Sequence, residues 1–188
     1  MGFLSIIGII LVLSILLFIF WSASIYNTLV RLNNLVQEGW SGIDVQLKRR
    51  YDLIPNLVAV VKQYSIHETD VLENVTRMRA ISMDAKGIDE RAKAEVGLSG
   101  ALKTLFAVSE NYPNLKANEN FLALQKDLTK IEEEIQLARR YYNGAARNYN
   151  IVVEGFPSKY VANFAAFRKA PYFELASEKE REAPKVTF

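Results

Sequence analysis

Of the side chains that most often do chemistry, this sequence offers few. Histidine occurs once, at His67, and cysteine not at all. A thiolate or multi-histidine metal centre is therefore impossible within one chain, and a Ser-His-Asp triad could draw only on His67. His67 lies beside Glu68 and near Tyr64; a helix-surface or capping role suits it better than that of a catalytic base. A carboxylate-only Mg or Ca site would need a liganding loop, and no such motif occurs. What remains are charged residues at helical spacing. Arg50 falls on an apolar stripe between Ile43 and Leu57, where an unpaired guanidinium would be very costly. Asp44, Asp52 and Glu68 are its nearest acids in sequence. Either Arg50 forms a register-setting polar layer or a partner-binding spot, or its stem packs while its head reaches water. Asp44, Lys48 and Asp52 stand four apart and can form an ion-pair ladder on one face. Arg139, Arg140 and Asn143, followed by Arg147 and Asn150, read as a solvated face with some interhelical hydrogen bonds. Glu132, Glu133 and Glu134 read as a solvated charge run. None of these groups makes a catalytic, cofactor-binding or metal set, and no cofactor is called for. An enzyme would require the acids around Arg50 or His67 to converge in a cleft.

Helices must position these residues. From Asn118 to Phe156, Phe121, Leu128, Ile135, Tyr142, Tyr149 and Phe156 recur every seven residues, with Leu124, Ile131, Ala138, Ala145 and Val152 between them. This three–four alternation is one apolar stripe on a long helix. Asn118 is its expected N-cap, and Gly155 with Pro157 ends it. A second stripe runs from Leu29 to Met78 through Val36, Ile43, Leu57, Tyr64 and Val71, flanked by Trp40, Leu47, Ile54, Val61 and Val75. Pro55 interrupts it and is expected to kink the helix, because it removes one backbone donor. Gly39 and Gly42 leave room for another helix to approach. A shorter helix is expected over 88–111, using Val96, Leu98, Leu102, Leu105, Phe106 and Val108. Its connections are short, so its neighbours should be antiparallel. After Pro157 a small helix should put Val161, Phe164 and Phe167 on one side. The residues from Glu174 onward lack periodicity and read as a loosely ordered tail. No period-two strand pattern occurs.

The first charge in the chain is Arg31. From Phe3 to Trp21 the residues are almost all Ile, Leu, Val, Phe or small, and about 19–20 such residues span a hydrocarbon core of about 30 Å as a helix. Trp21 and Tyr26 sit where interfacial aromatics belong, and Arg31 just beyond. Ser22 and Ser24 offer small residues that a signal peptidase could use. The absence of a basic n-region and the length of the apolar core favour a retained anchor. Arg31 alone counts toward the positive-inside rule, which favours an N-terminus outside and a body in the cytoplasm. No strong breaker separates the anchor from the Leu29 stripe, so the two are free to run on as one helix. Lys48, Arg49 and Arg50 would then stand roughly 40 Å beyond the membrane surface, too far for a headgroup patch. The organisation expected is a transmembrane anchor over 1–25, a helical bundle domain over 26–173 and a tail over 174–188. The fold class is all-α, an N-terminal transmembrane helix followed by a long antiparallel bundle. A net charge of +2 argues against nucleic acid as a partner.

The chain also resembles the LemA family. The resemblance is carried by Tyr26-Asn27-Thr28-Leu29-Val30 and by the run from Gly39-Trp40-Ser41-Gly42 through Arg49-Arg50-Tyr51-Asp52-Leu53-Ile54-Pro55-Asn56-Leu57-Val58. It continues in Tyr64 with His67-Glu68, Tyr112-Pro113-Asn114, Ala138-Arg139-Arg140-Tyr141-Tyr142-Asn143 and Phe156-Pro157. The terminal Ala183-Pro184-Lys185-Val186-Thr187-Phe188 completes it. The resemblance implies the anchor and bundle, and it carries no catalytic residues across. Relatives are associated with membrane organisation in bacteria, including the shaping of magnetosome membranes. The expected function is thus a membrane-anchored, non-enzymatic scaffold in the bacterial inner membrane that self-associates, with the lipid bilayer and other membrane proteins as partners. The alternative is an adaptor or regulator of a membrane protease or envelope enzyme.

Overall fold

A computed structural model describes residues 2–65 and 68–174. The described residues are mostly helical, with no strand among them: α1 (Phe3–Lys62), α2 (Thr69–Asp84), α3 (Ile88–Ser109), α4 (Pro113–Lys116), α5 (Glu119–Glu154) and α6 (Ser158–Phe164). The chain is all-α, as its periodicities indicate, and α1 opens with a run long and apolar enough to cross a membrane. The expected tail lies, from residue 175 onward, outside the described residues. Contacts group the chain into two units. One contains residues 1–40 and 141–170, the other residues 41–140 and 171–188, so α1 and α5 each contribute to both.

In the second unit four helical segments alternate in direction. The final part of α1 pairs with α2, which turns back through Ala85, Lys86 and Gly87 into α3. Gly87 takes the left-handed φ of 78° that this turn requires. The first part of α5 then runs opposite to α1 and α3. Ile43, Leu47, Ile54, Leu57, Leu98, Leu102, Leu105, Phe121 and Ile135 form the core. Asn118 caps α5 as its sequence suggests, its side-chain oxygen accepting the Phe121 N–H at 3.0 Å.

The structure corrects the Leu29–Met78 stripe. Two helices replace one, because α1 ends at Lys62 and α2 begins at Thr69. The buried face of α2 is Leu72, Val75 and Ser82, whereas Tyr64 is exposed and Val71 and Met78 are half-buried. The seven-residue spacing carried across the break by coincidence, since no Gly or Pro marks it. α1 also runs through Pro55.

The first unit pairs residues 22–40 of α1 with residues 141–154 of α5, running antiparallel. Gly39 is buried against α5: a Cβ there would lie 3.0 Å from the Tyr142 Cα and 3.2 Å from the Tyr141 ring. Gly42 meets nothing within 4 Å, so only the first of the two glycines serves a close approach. The heptad positions of α5 stay buried through Tyr149. Their partners shift from the expected Ala145 and Val152, which are half-buried, to Ala146 and Val153. A 3.6-residue helix drifts about 20° per heptad, which moves the face toward the +4 positions. Phe156 is exposed beyond the helix end, and α6 buries Ala162 while Phe164 points outward, contrary to the expected one-sided face.

Gly42→Ala should raise the melting temperature in detergent, since Ala is favoured over Gly within a helix by up to about 1 kcal/mol. Gly39→Ala should lower it, at a cost of about 1–3 kcal/mol from overpacking. Equal shifts of the two variants in thermal denaturation would contradict the close approach at Gly39.

Candidate functional site

The chemically densest place in the molecule lies inside the second unit. Arg50 of α1 is only 5% exposed and Glu95 of α3 only 6%. Arg50 Nη1 donates to Glu95 Oε2 at 3.2 Å and stands 3.1 Å from Glu132 Oε2 of α5, while Nη2 donates to Ser99 Oγ at 2.9 Å. One guanidinium therefore ties three helices together. The remaining Glu95 oxygen accepts from the Tyr51 hydroxyl. Beside this layer is a cavity of about 310 Å³, lined also by Lys103, Gln136, Arg139 and Phe173. The Arg139 guanidinium lies 4.8 Å from the centre of the Phe173 ring, a cation–π arrangement.

Within the layer Arg50 faces two carboxylates, one of them well buried. Burial pushes the Glu95 carboxyl above its ordinary value; the Tyr51 hydroxyl, Arg50 and the nearby Ser82 hydroxyl pull against the rise, and Glu132 adds to it. Burial, and then the Glu95 carboxylate, hold the Tyr51 phenol far above its usual range, so Tyr51 remains a donor.

A second local solution adjoins the layer. In a helix, the N–H of residue 55 would bond the carbonyl of residue 51, and Pro55 has no N–H. Arg79 of α2 fills the gap: its Nε donates to the Tyr51 carbonyl at 2.7 Å. Tyr51 is thus held at its backbone by α2 and at its hydroxyl by α3.

The charged residues singled out from sequence are dispersed. Asp44 pairs with Arg91 of α3, a partner on another helix, and no ladder with Lys48 and Asp52 is formed around it. Lys48 is exposed. Arg49 bonds Gln46 at 3.1 Å and lines an open groove with Asp52, Asp127 and Lys130. Glu68 accepts the Tyr112 hydroxyl at 2.9 Å, and this bond raises the Tyr112 phenol. His67 lies outside the described residues. Arg139 lines the cavity, Arg140 is exposed and Asn143 half-buried. Asn150 is buried and exchanges two 2.9 Å bonds with the Ala170 backbone. In the first unit, the Tyr26 ring packs 5.7 Å from Phe167, Trp21 lies 5.8 Å from Phe18, and Arg31 is exposed. The acids nearest Arg50 in sequence therefore do not meet it. Those that do, Glu95 and Glu132, were not singled out as its partners. Glu95 carried a legible signal, standing seven residues before Leu102 on the α3 core face. Glu132 was hidden among three consecutive glutamates.

A LemA family model matches residues 39–188, which include Arg50, Glu95, Glu132 and Phe173 and exclude the apolar opening of α1. The chain belongs to the LemA family. It is similar to magnetosome proteins MamQ 1 and MamQ 2 of Paramagnetospirillum magneticum, each 28% identical over 87% of this chain and 70% of theirs. It is also similar to protein LemA of Metamycoplasma hominis, 28% identical over 90% of this chain and 78% of that protein.

Two outcomes test the layer. Glu95 binds its proton more tightly folded than unfolded. Its contribution to stability is full below the unfolded value of 4.5 and is lost as pH rises through the raised folded value. In urea titrations, wild-type stability relative to Glu95→Gln should fall as pH increases from about 4 and then level off; a flat difference would contradict the raised carboxyl. Separately, Pro55→Ala returns a helix donor to the Tyr51 carbonyl. Arg79→Met should then cost about 1.5–3 kcal/mol in wild type and clearly less in the Pro55→Ala background. Additive effects in this double-mutant cycle would show that Arg79 does not act through that carbonyl.

Proposed function

We propose that this protein is a membrane-anchored, non-catalytic scaffold that self-associates and organises the bacterial inner membrane or proteins within it. The observation that carries this reading is the use of the buried charges. Arg50 of α1 pairs with Glu95 of α3 and with Glu132 of α5, an arrangement that fixes helix register rather than presenting an acid or base to a substrate. The uncharged run at the start of α1 supplies an anchor, with its flank at Trp21, Tyr26 and Arg31. The magnetosome relatives and the family membership support a membrane-associated role. Orientation with the N-terminus outside rests on Arg31 as the one Lys or Arg within about 20 residues of the span. Self-association runs through the anchor and the proximal part of α1 beyond it, where Leu35 and Val45 are exposed.

Full-length protein in detergent, measured by size-exclusion with light scattering and by crosslinking in membranes, should give a defined homo-oligomer. A monomer in both measurements rejects the scaffold. Affinity capture from crosslinked membranes separates it from the adaptor reading: a stoichiometric envelope enzyme in the eluate would favour the adaptor.

A further inference from the structure

Beyond the end of α5 the chain turns three aromatic rings outward. Phe156 is 79% exposed, Tyr160 61% and Phe164 94%, while Ala162 on the opposite side of α6 is fully buried. Tyr160 and Phe164, four apart in α6, share one side of that helix, and the Phe156 ring packs against Tyr160 at 6.2 Å. Exposed aromatics clustered in this way are unfavourable in water and mark an interaction site.

Their position within the first unit identifies what they meet. Phe156, Tyr160 and Phe164 line one apolar groove of about 670 Å³ together with Phe18, Ile19 and Trp21 of α1. Those α1 residues form the last turn of the apolar run that began at Phe3, so α6 lies level with the end of the apolar span. One level further along, Phe167 packs on Tyr26, which fixes the height of the segment from both sides. Phe and Tyr at that height, beside Trp21, match the composition of a membrane–water interface. Lys159 lies beside the Tyr160 ring, its Nζ 5.3 Å from the ring centre, and its long stem allows the ammonium to reach headgroups from there.

We propose that residues 156–164 form a second membrane contact, an interfacial segment whose Phe156, Tyr160 and Phe164 rings enter the acyl–headgroup boundary beside the anchor. This rests on the reading of the start of α1 as a membrane span. The membrane attachment then has two points separated by over a hundred residues of sequence, and the antiparallel pair of α1 and α5 is fixed in rotation about the anchor axis.

The chain contains no cysteine, so single labels are clean. Nitroxides at Phe164→Cys, Leu13→Cys and Glu38→Cys can be placed in phosphatidylcholine–phosphatidylglycerol vesicles at high lipid ratio. All three positions are exposed in the structure, so substitution leaves packing intact. Oxygen and a water-soluble nickel chelate then report depth by their relaxation of each label. Positions 13 and 164 should both be shielded from nickel, 13 more deeply, and 38 should be open to it. Nickel access at 164 with shielding at 13 overturns the interfacial segment and leaves the anchor standing. Nickel access at 13 overturns both. Shielding at 164 accompanied by dipolar broadening that disappears on dilution with unlabelled protein means that a second copy covers the rings, and this too overturns the proposal.

Discussion

A guanidinium inside a helical bundle persists only if opposite charge and hydrogen-bond acceptors meet it from several directions. Arg50 sets that requirement for the second unit. Its Nη1 faces carboxylates from α3 and α5, and its Nη2 faces a hydroxyl from α3. A one-residue slip of any of these helices would turn its group through about 100° and leave a buried charge unmatched. Apolar side chains at the same positions could pack nearly as stably, but they would tolerate neighbouring registers. The polar layer therefore selects one arrangement among several of similar hydrophobic content. Arginine suits the task better than lysine, since its planar fork can bond two groups at once without losing its charge.

The surrounding residues follow from that constraint. Glu95, shared with Arg50, needs a second partner, and Tyr51 supplies it from the next position on α1. Tyr51 in turn lies four residues before Pro55 and is left with an orphan carbonyl. Arg79 satisfies it from α2, which gives the helix that does not touch Arg50 its own polar tie to the layer. Pro55 thus acts as the source of an acceptor for another helix. Five residues of the run Arg50-Tyr51-Asp52-Leu53-Ile54-Pro55 have assignable roles. Arg50 and Tyr51 serve the layer, Ile54 the core and Pro55 the Arg79 site, while Asp52 faces out.

The sequence made the apolar geometry legible and the polar pairing much less so. The α5 stripe from Phe121 to Tyr149, the Asn118 cap and the Gly155-Pro157 stop depend on local spacing, so they could be read directly. The partners of Arg50 could not, because Glu95 and Glu132 are 45 and 82 residues away in the chain and only tertiary packing brings them together. Nearby acids were attractive because i, i+4 pairs are common on helices, yet Asp44 finds Arg91 across the interface. The break after Lys62 has no local signal, since residues 63–68 contain no Gly or Pro and preserve the heptad count. Phe164 departs from its expected face for a related reason. An apolar side chain predicts burial only when water is the sole solvent available to it.

That last point bears on where this molecule meets others. Arg50 and Glu95 are turned inward and paired, whereas a large set of apolar side chains stands exposed: the apolar run of α1, then Phe156 and Phe164. A water-soluble bundle would reverse this distribution, since contiguous apolar surface drives aggregation. The two exposed sets belong to one unit and share one groove, although in sequence they are far apart. A single apolar solvent bordering that groove accounts for both without requiring separate explanations. It also explains why α5 stops where it does. Continuing the helix past Glu154 would carry the chain deeper along the span. Gly155 and Pro157 instead turn it, and the Ser158 hydroxyl bonds the Val152 carbonyl at 2.6 Å, so that α6 begins at the level of Trp21 and the chain then returns to Phe167 beside Tyr26.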